Sequence, residues 1–153
     1  MSSNKYKVLV VQGLHKQGLE MLKNRTDIEF NVLMSDDENE ILEAAKDVNG
    51  ITVRTAQITE KIINSSKNLQ VISRHGVGYD SINLKSLNKK KIPLTIAAHS
   101  NMISVSEQTM FFLLALNKNV FYYDDFTRKG DWKNRWDVKA WDLAEKNIMV
   151  IGF

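Results

Sequence analysis

Between Lys7 and Ala97 the chain alternates short runs rich in β-branched residues with stretches whose apolar residues recur at helical spacing. Lys7-Val8-Leu9-Val10-Val11 is a strand ended by Gln12-Gly13, and Leu14, Gly18, Leu19, Met21 and Leu22 then follow a helical period. Ile28–Leu33 reads as a second strand, after which Ser35-Asp36-Asp37-Glu38 forms a capping box for a helix carrying Ile41, Leu42, Ala45 and Val48, ended by Gly50. Ile51–Val53 is a third strand, and Thr59 is placed to cap a short helix through Ile62 and Ile63. Leu69–Ser73 is a fourth, Asn83 caps a helix holding Leu84 and Leu87, and Leu94–Ala97, just after the single proline Pro93, is a fifth. Strands joined by short-looped helices form a parallel sheet, because each crossover helix packs back onto the sheet it leaves. The expectation is an α/β fold, with a flavodoxin-like parallel five-stranded sheet over residues 1–100.

Residues 101–153 read differently. Ser104-Val105-Ser106-Glu107 is another capping box, which assigns Glu107 to a helix cap rather than to acid catalysis. No Gly or Pro interrupts Val105–Lys129, which predicts one helix of roughly seven turns. Its segment Phe111-Phe112-Leu113-Leu114-Ala115-Leu116 is apolar almost all round and must be covered on more than one side. The expected cover is another domain or, in a homodimer, the same helix 104–129 of a second copy. Beyond Gly130, Trp132, Trp136 and Trp141 read as packing groups of an interdomain linker. Ile148–Ile151 reads as a buried strand, and Gly152 stands where the first glycine of a dinucleotide-binding turn would stand.

Composition removes several classes of function. The chain of 153 residues has no cysteine, which excludes disulfides, thiol nucleophiles and thiolate metal sites and suits a cytoplasmic protein. The formal charge is +3 with basic residues scattered, a weak footprint for nucleic acid, and Lys89-Lys90-Lys91 reads as a solvated helix end. The opening apolar run, Val8–Val11, is too short for a signal peptide, and the longest one, Met110–Leu116, falls far short of the ~20 residues a membrane span needs. His15, His75 and His99 share no metal-ligand spacing.

Several motifs carry chemistry. Gly76 and Gly78 follow the fourth strand at the carboxyl edge of the sheet, where open α/β folds bind ligands and where glycines let backbone N–H groups close on an anion. Arg74-His75-Gly76-Val77-Gly78-Tyr79-Asp80-Ser81-Ile82-Asn83-Leu84 resembles the R-x-G-x-G-x-D-x-I-D-L segment of the D-2-hydroxyacid dehydrogenases, the phosphoglycerate dehydrogenase group above all. Asn101–Gln108 resembles the N-x-x-S-V-A-E-H opening of that family's long interdomain helix, Gly130-Asp131-Trp132 its G-x-W loop, and Asp142–Gly152 its E-L-x-G-K-T-x-G-I-I-G run. Ala98-His99 stands where Ala-Pro is usual, and Gln108 where a His is common.

The resemblance implies a substrate-binding domain over residues 1–100, followed over 101–153 by the interdomain helix and the start of a truncated NAD-binding Rossmann domain. It implies NAD-dependent oxidation of a D-2-hydroxyacid, or reduction of the 2-keto acid, with the substrate carboxylate held by the loop of Gly76, Val77 and Gly78 and faced by Arg54 and Thr55. Val77 and Gly152 are the positions implied on the cofactor side. The family's substrate arginine, catalytic histidine, its carboxylate partner and most of the dinucleotide cradle are expected beyond residue 153, so the chain alone is expected to be inactive. A second reading is a non-catalytic dimerising or binding module; a phosphoreceiver is a poor version of it, because Val11-Gln12-Gly13 offers no acid after the first strand.

Overall fold

A computed structural model describes residues 5–151. The chain divides at Ser100–Asn101 into two units. The first is a parallel sheet of order β2-β1-β3-β4-β5, built from β1 (Tyr6–Val11), β2 (Ile28–Leu33), β3 (Gly50–Val53), β4 (Val71–Arg74) and β5 (Leu94–Ile96). This is the flavodoxin-like order. Its helices are α1 (Lys16–Lys23), α2 (Glu38–Ala44), α3 (Glu60–Ser65) and α4 (Leu84–Lys90).

The pleat decides which side chains meet. Leu9, Val11, Ile51, Val53 and Ile72 point to one face and join Ile41, Ala45, Ile62, Ile63 and Leu87 of α2, α3 and α4 in a single buried cluster. On the other face α1 lies alone, buries none of its residues, and borders a cleft of about 420 Å³ lined by Leu14, Met21 and Leu22 with Val8, Gly50, Thr52 and Val71 of the sheet. Among these strands only β1 approaches the continuous apolar pattern of a doubly covered parallel strand.

Helix starts differ from expectation in instructive ways. Asn83 caps α4, its Oδ1 accepting from Ser86 N at 3.0 Å. The α2 cap is Asp37, whose Oδ1 accepts from the N–H groups of Asn39 and Glu40, while Ser35 Oγ accepts from Asp37 N one turn earlier. The box at 35–38 therefore folds as a turn that delivers the cap, and the helix begins later than the pattern suggests. Thr59 precedes α3, but its hydroxyl donates to Glu38 Oε1 at 2.6 Å and leaves the helix amides uncapped by its side chain. Lys90 closes the other end of α3: its ammonium donates to the carbonyls of Ile63 (2.6 Å) and Asn64 (3.3 Å), where the helix dipole is negative.

The second unit holds α5 (Met102–Asn117), α6 (Val120–Arg128) and a short 3₁₀ turn at Trp132–Asn134. Helix α5 starts at Met102 after Asn101, so Ser104 is not its cap; Ser106 Oγ donates back to Met102 O, and Glu107 lies exposed within the helix. The single helix expected over 104–129 is two. Asn119 takes a left-handed conformation (φ 48°, ψ 45°), which asparagine tolerates better than most residues with a Cβ. Returning backbone secures the break: Asn119 Nδ2 donates to Lys139 O at 2.6 Å and Trp141 N to Asn117 O at 2.7 Å. The tryptophans are exposed, not packed: Arg135 lies over the rings of Trp132 and Trp136, and Lys146 over Trp141. Ile148–Ile151 forms no strand, since among the described residues no neighbouring strand pairs with it. Gly152 lies outside the described residues.

Candidate functional site

Sheet register fixes what meets at the carboxyl rim. Val11 pairs with Val53, and Val53 with Arg74, so Gln12, Arg54 and His75 leave three adjacent strands at one level. Arg54 and Thr55 thus follow β3 at the level where residues 75–80 follow β4. His75 N donates to Val53 O at 2.8 Å, stitching the two segments together.

The two glycines of the loop do different work. Gly76 has φ 153°, and a Cβ built there would lie 1.3 Å from Arg74 Nη1, because the Arg74 side chain folds back over it and donates to His75 O at 2.7 Å. Gly76 is therefore a structural glycine, and its own N–H is consumed by Arg74 O at 2.9 Å. The amide pocket is narrower than its sequence suggests, since one of its three donors is already bonded. Gly78 is the opposite case: its φ is ordinary, and the nearest atom to a built Cβ is Asp80 Oδ2 at 3.7 Å. Nothing in the fold demands glycine at 78; what its bare backbone provides is open approach. The N–H groups of Val77 and Gly78 have no hydrogen-bond partner among the described residues, and both residues are exposed.

This loop, with consecutive free amides next to the Arg74 guanidinium that folds over Gly76, has the geometry to hold a small anion. It is anchored on both sides: Gly76 O accepts from Ala97 N at 3.0 Å, Ile82 N donates to Tyr79 O at 3.0 Å, and Ile58 N to Ser81 O at 2.8 Å. Asp80 contributes a negative charge at the margin, which disfavours a polyanion over a single carboxylate. Arg74 has a buried Nε without a partner, the cost of folding its side chain over Gly76.

One participant was not singled out in the sequence. Gln12, in the left-handed region at φ 65°, turns its carboxamide across to β3, where Oε1 accepts from Thr55 N (2.7 Å), Ala56 N (2.8 Å) and the Thr55 hydroxyl (3.2 Å). The only signal for it was a polar residue before a glycine at the end of a strand.

The described residues do not fit a dinucleotide. Such a cofactor needs a strand, a glycine turn and a helix N-terminus in succession, and the segment before Gly152 forms no strand. Among the described residues no group of three or more His, Asp or Glu side chains could hold a metal.

Comparison with known proteins decides the family. Residues 8–148 match the pattern of the D-isomer specific 2-hydroxyacid dehydrogenase catalytic domain. The chain belongs to this family. Among its curated relatives, the D-3-phosphoglycerate dehydrogenase of Methanocaldococcus jannaschii is 32% identical over 95% of the chain, which spans 28% of that relative. The glyoxylate reductase of Thermococcus kodakarensis is 26% identical over 96% of the chain, which spans 46% of it. The crystal structure of D-lactate dehydrogenase from Aquifex aeolicus, complexed with NAD and lactic acid, matches 89% of the chain at a TM-score of 0.77 and 22% identity, and supports the fold; the chain spans 41% of it. This dehydrogenase-family chain thus spans less than half the length of these proteins.

Proposed function

We propose that the chain supplies the substrate-side wall of an NAD-dependent oxidoreductase that oxidises the CH–OH group of a D-2-hydroxyacid or reduces the corresponding 2-keto acid. The observation that carries this reading is the unpaired amides of Val77 and Gly78 on the rim, at the level where Arg54 leaves the neighbouring strand. The pair suits the two oxygens of one carboxylate, the group shared by every 2-hydroxy and 2-keto acid. Arg54 adds a positive charge, and the exposed Val77 side chain gives an apolar surface next to the anion, the position the family motif associates with the nicotinamide. In this reading residues 1–100 form the substrate domain, and 101–153 lead into the cofactor domain. The cofactor in this reading is NAD, which the structure of Aquifex aeolicus D-lactate dehydrogenase contains. A cytoplasmic location suits this reading. No helix among the described residues is long and apolar enough to cross a membrane.

The chain's own chemistry is confined to holding and orienting. The described residues form no dinucleotide cradle, so these 153 residues alone are expected not to bind NADH tightly and hence not to turn over. Calorimetry with NADH and an ¹⁵N-resolved titration with pyruvate test both halves. The expected result is no stoichiometric NADH heat, with pyruvate-dependent shifts at Val77 and Gly78. Absence of any shift at those amides would overturn the substrate assignment.

The apolar faces of α5 favour a dimer as well. Phe112 is 53% exposed and Leu116 75%. A second copy covering Met102–Asn117 would bury them, and a non-catalytic dimerising module is the reading that remains if the pyruvate titration is silent. Sedimentation at micromolar concentration separates a monomer from that dimer.

A further inference from the structure

We propose that Gln12 is a positioning residue of the carboxylate site, an internal occupant of the crevice between β1 and β3 that locks the Arg54–Ala56 turn and leaves the glycine loop, with its open Val77 and Gly78 amides, as the donor surface. This rests on the reading that the rim holds a substrate carboxylate. In the strand order β2-β1-β3-β4-β5 the chain reverses direction of growth between β1 and β3, and open α/β sheets bind ligands at that point. Here the point is filled from within. Gln12 Oε1 sits against the N–H groups of Thr55 and Ala56 at 2.7 and 2.8 Å, where an oxygen of a ligand carboxylate would otherwise sit, and Gln12 Nε2 donates to Thr55 Oγ1 at 3.1 Å.

The backbone is arranged for this. Gln12 and Gly13 are consecutive left-handed residues, φ 65° and 73°. A non-glycine residue costs about 1 kcal/mol in that region, and such a departure persists where surrounding contacts hold it. Gly13 suits this turn because its φ of 73° strains any residue with a side chain. The result is a sharp turn that sends the Gln12 side chain sideways over β3. The carbonyl of the same residue accepts from Arg54 Nη1 at 3.5 Å, so Gln12 contacts the turn from main chain and side chain together. With the Thr55 and Ala56 amides satisfied, an incoming carboxylate meets the open amides of the glycine loop without a competing donor pair on β3, and Arg54 is tethered on the side facing β1.

The experiment uses the ¹⁵N-labelled chain with Gln12→Met, which keeps the side-chain length without the acceptor, and Gln12→Glu, which keeps an acceptor oxygen. Two readouts are taken: hydrogen exchange at Thr55 and Ala56, and the pyruvate Kd from the Val77 and Gly78 shifts. Gln12→Met is expected to speed exchange at both amides and to weaken pyruvate about tenfold, the loss of roughly one hydrogen bond's worth of positioning. Gln12→Glu is expected to restore amide protection and, at high salt where its added negative charge is screened, to bind pyruvate more tightly than Gln12→Met. A Kd unchanged in Gln12→Met, at a temperature where the variant is folded, overturns the positioning role even if exchange rises, because a purely structural bond moves stability and not affinity. If the wild-type chain itself shows no pyruvate shift, the carboxylate site falls and the role of Gln12 with it; a wild-type shift that Gln12→Met leaves intact sinks this inference alone.

Discussion

Replacing Gly76 by alanine puts the loop's geometry under direct strain. A Cβ at 76 would lie 1.3 Å from Arg74 Nη1 and 2.5 Å from Cζ, so the guanidinium must leave, giving up its 2.7 Å bond to His75 O. That bond, made by a charged donor, is worth about 1.5–3 kcal/mol at most and less where water replaces it. The backbone conformation at φ 153° adds about 1–3 kcal/mol for a residue with a side chain. Together they predict a loss of about 2–4 kcal/mol, a large share of the stability of a small domain. Gly78→Ala is the internal comparison: with ordinary φ and its nearest neighbour at 3.7 Å, it is expected to cost less than about 1 kcal/mol, in line with a strain-free glycine replacement. Urea unfolding of both variants measures the contrast, and pyruvate titration reads the second consequence. Gly76→Ala should also lose the anion by misdirecting the Val77 amide, whereas Gly78→Ala should weaken it through the added methyl while leaving stability nearly intact. Equal stabilities for the two variants would refute the division of labour between the glycines.

Two further outcomes follow from charges. Asp80→Asn removes the carboxylate nearest Gly78 and is expected to tighten pyruvate about threefold at low salt, an advantage that added sodium chloride erodes; an unchanged Kd at every salt concentration would count against an anion at this loop. The Arg25 guanidinium grips Asp27 through two bonds of 2.8 and 2.7 Å and holds its carboxyl at about 2 rather than 3.8. Because the folded value is lowered, the stabilisation is present above the ordinary value of 3.8 and is lost as pH falls through about 2. The urea midpoints of wild type and Asp27→Asn should therefore differ at neutral pH and converge across that window, modestly, since the pair is solvent-exposed; a gap that widens on acidification would reverse the sign of the argument.

Periodicity carried the sheet. The bounds of β2 are those of the apolar run Ile28–Leu33, and Asn83 caps α4 as its position before Leu84 suggests, because both depend on neighbours in sequence. The rest depended on what the chain meets after folding. Asn119 could break a glycine-free helix because backbone from residues 139–141 returns to hydrogen-bond the kink. Ile148–Ile151 has strand composition, but a strand exists only where another offers its amides and carbonyls. At the site, the placement of Arg54 and Thr55 beside the glycine loop was readable from strand order, whereas the loss of the Gly76 amide to Arg74 O was not. Gln12 was invisible for the same reason: its partners Thr55 and Ala56 stand 43 and 44 residues away.

The loop between Gly76 and Ile82 is tied at both ends, by Ala97 N on the Gly76 carbonyl and by Ile58 N on the Ser81 carbonyl. On the proposed reading, a visiting acid would find its receptor already in shape, with little chain entropy left to surrender when it lands. Recognition through main-chain amides also makes the contact indifferent to what lies beyond the carboxylate. On that reading, discrimination among acids would fall to whichever groups face the far end of the molecule, leaving this rim with no part in substrate choice.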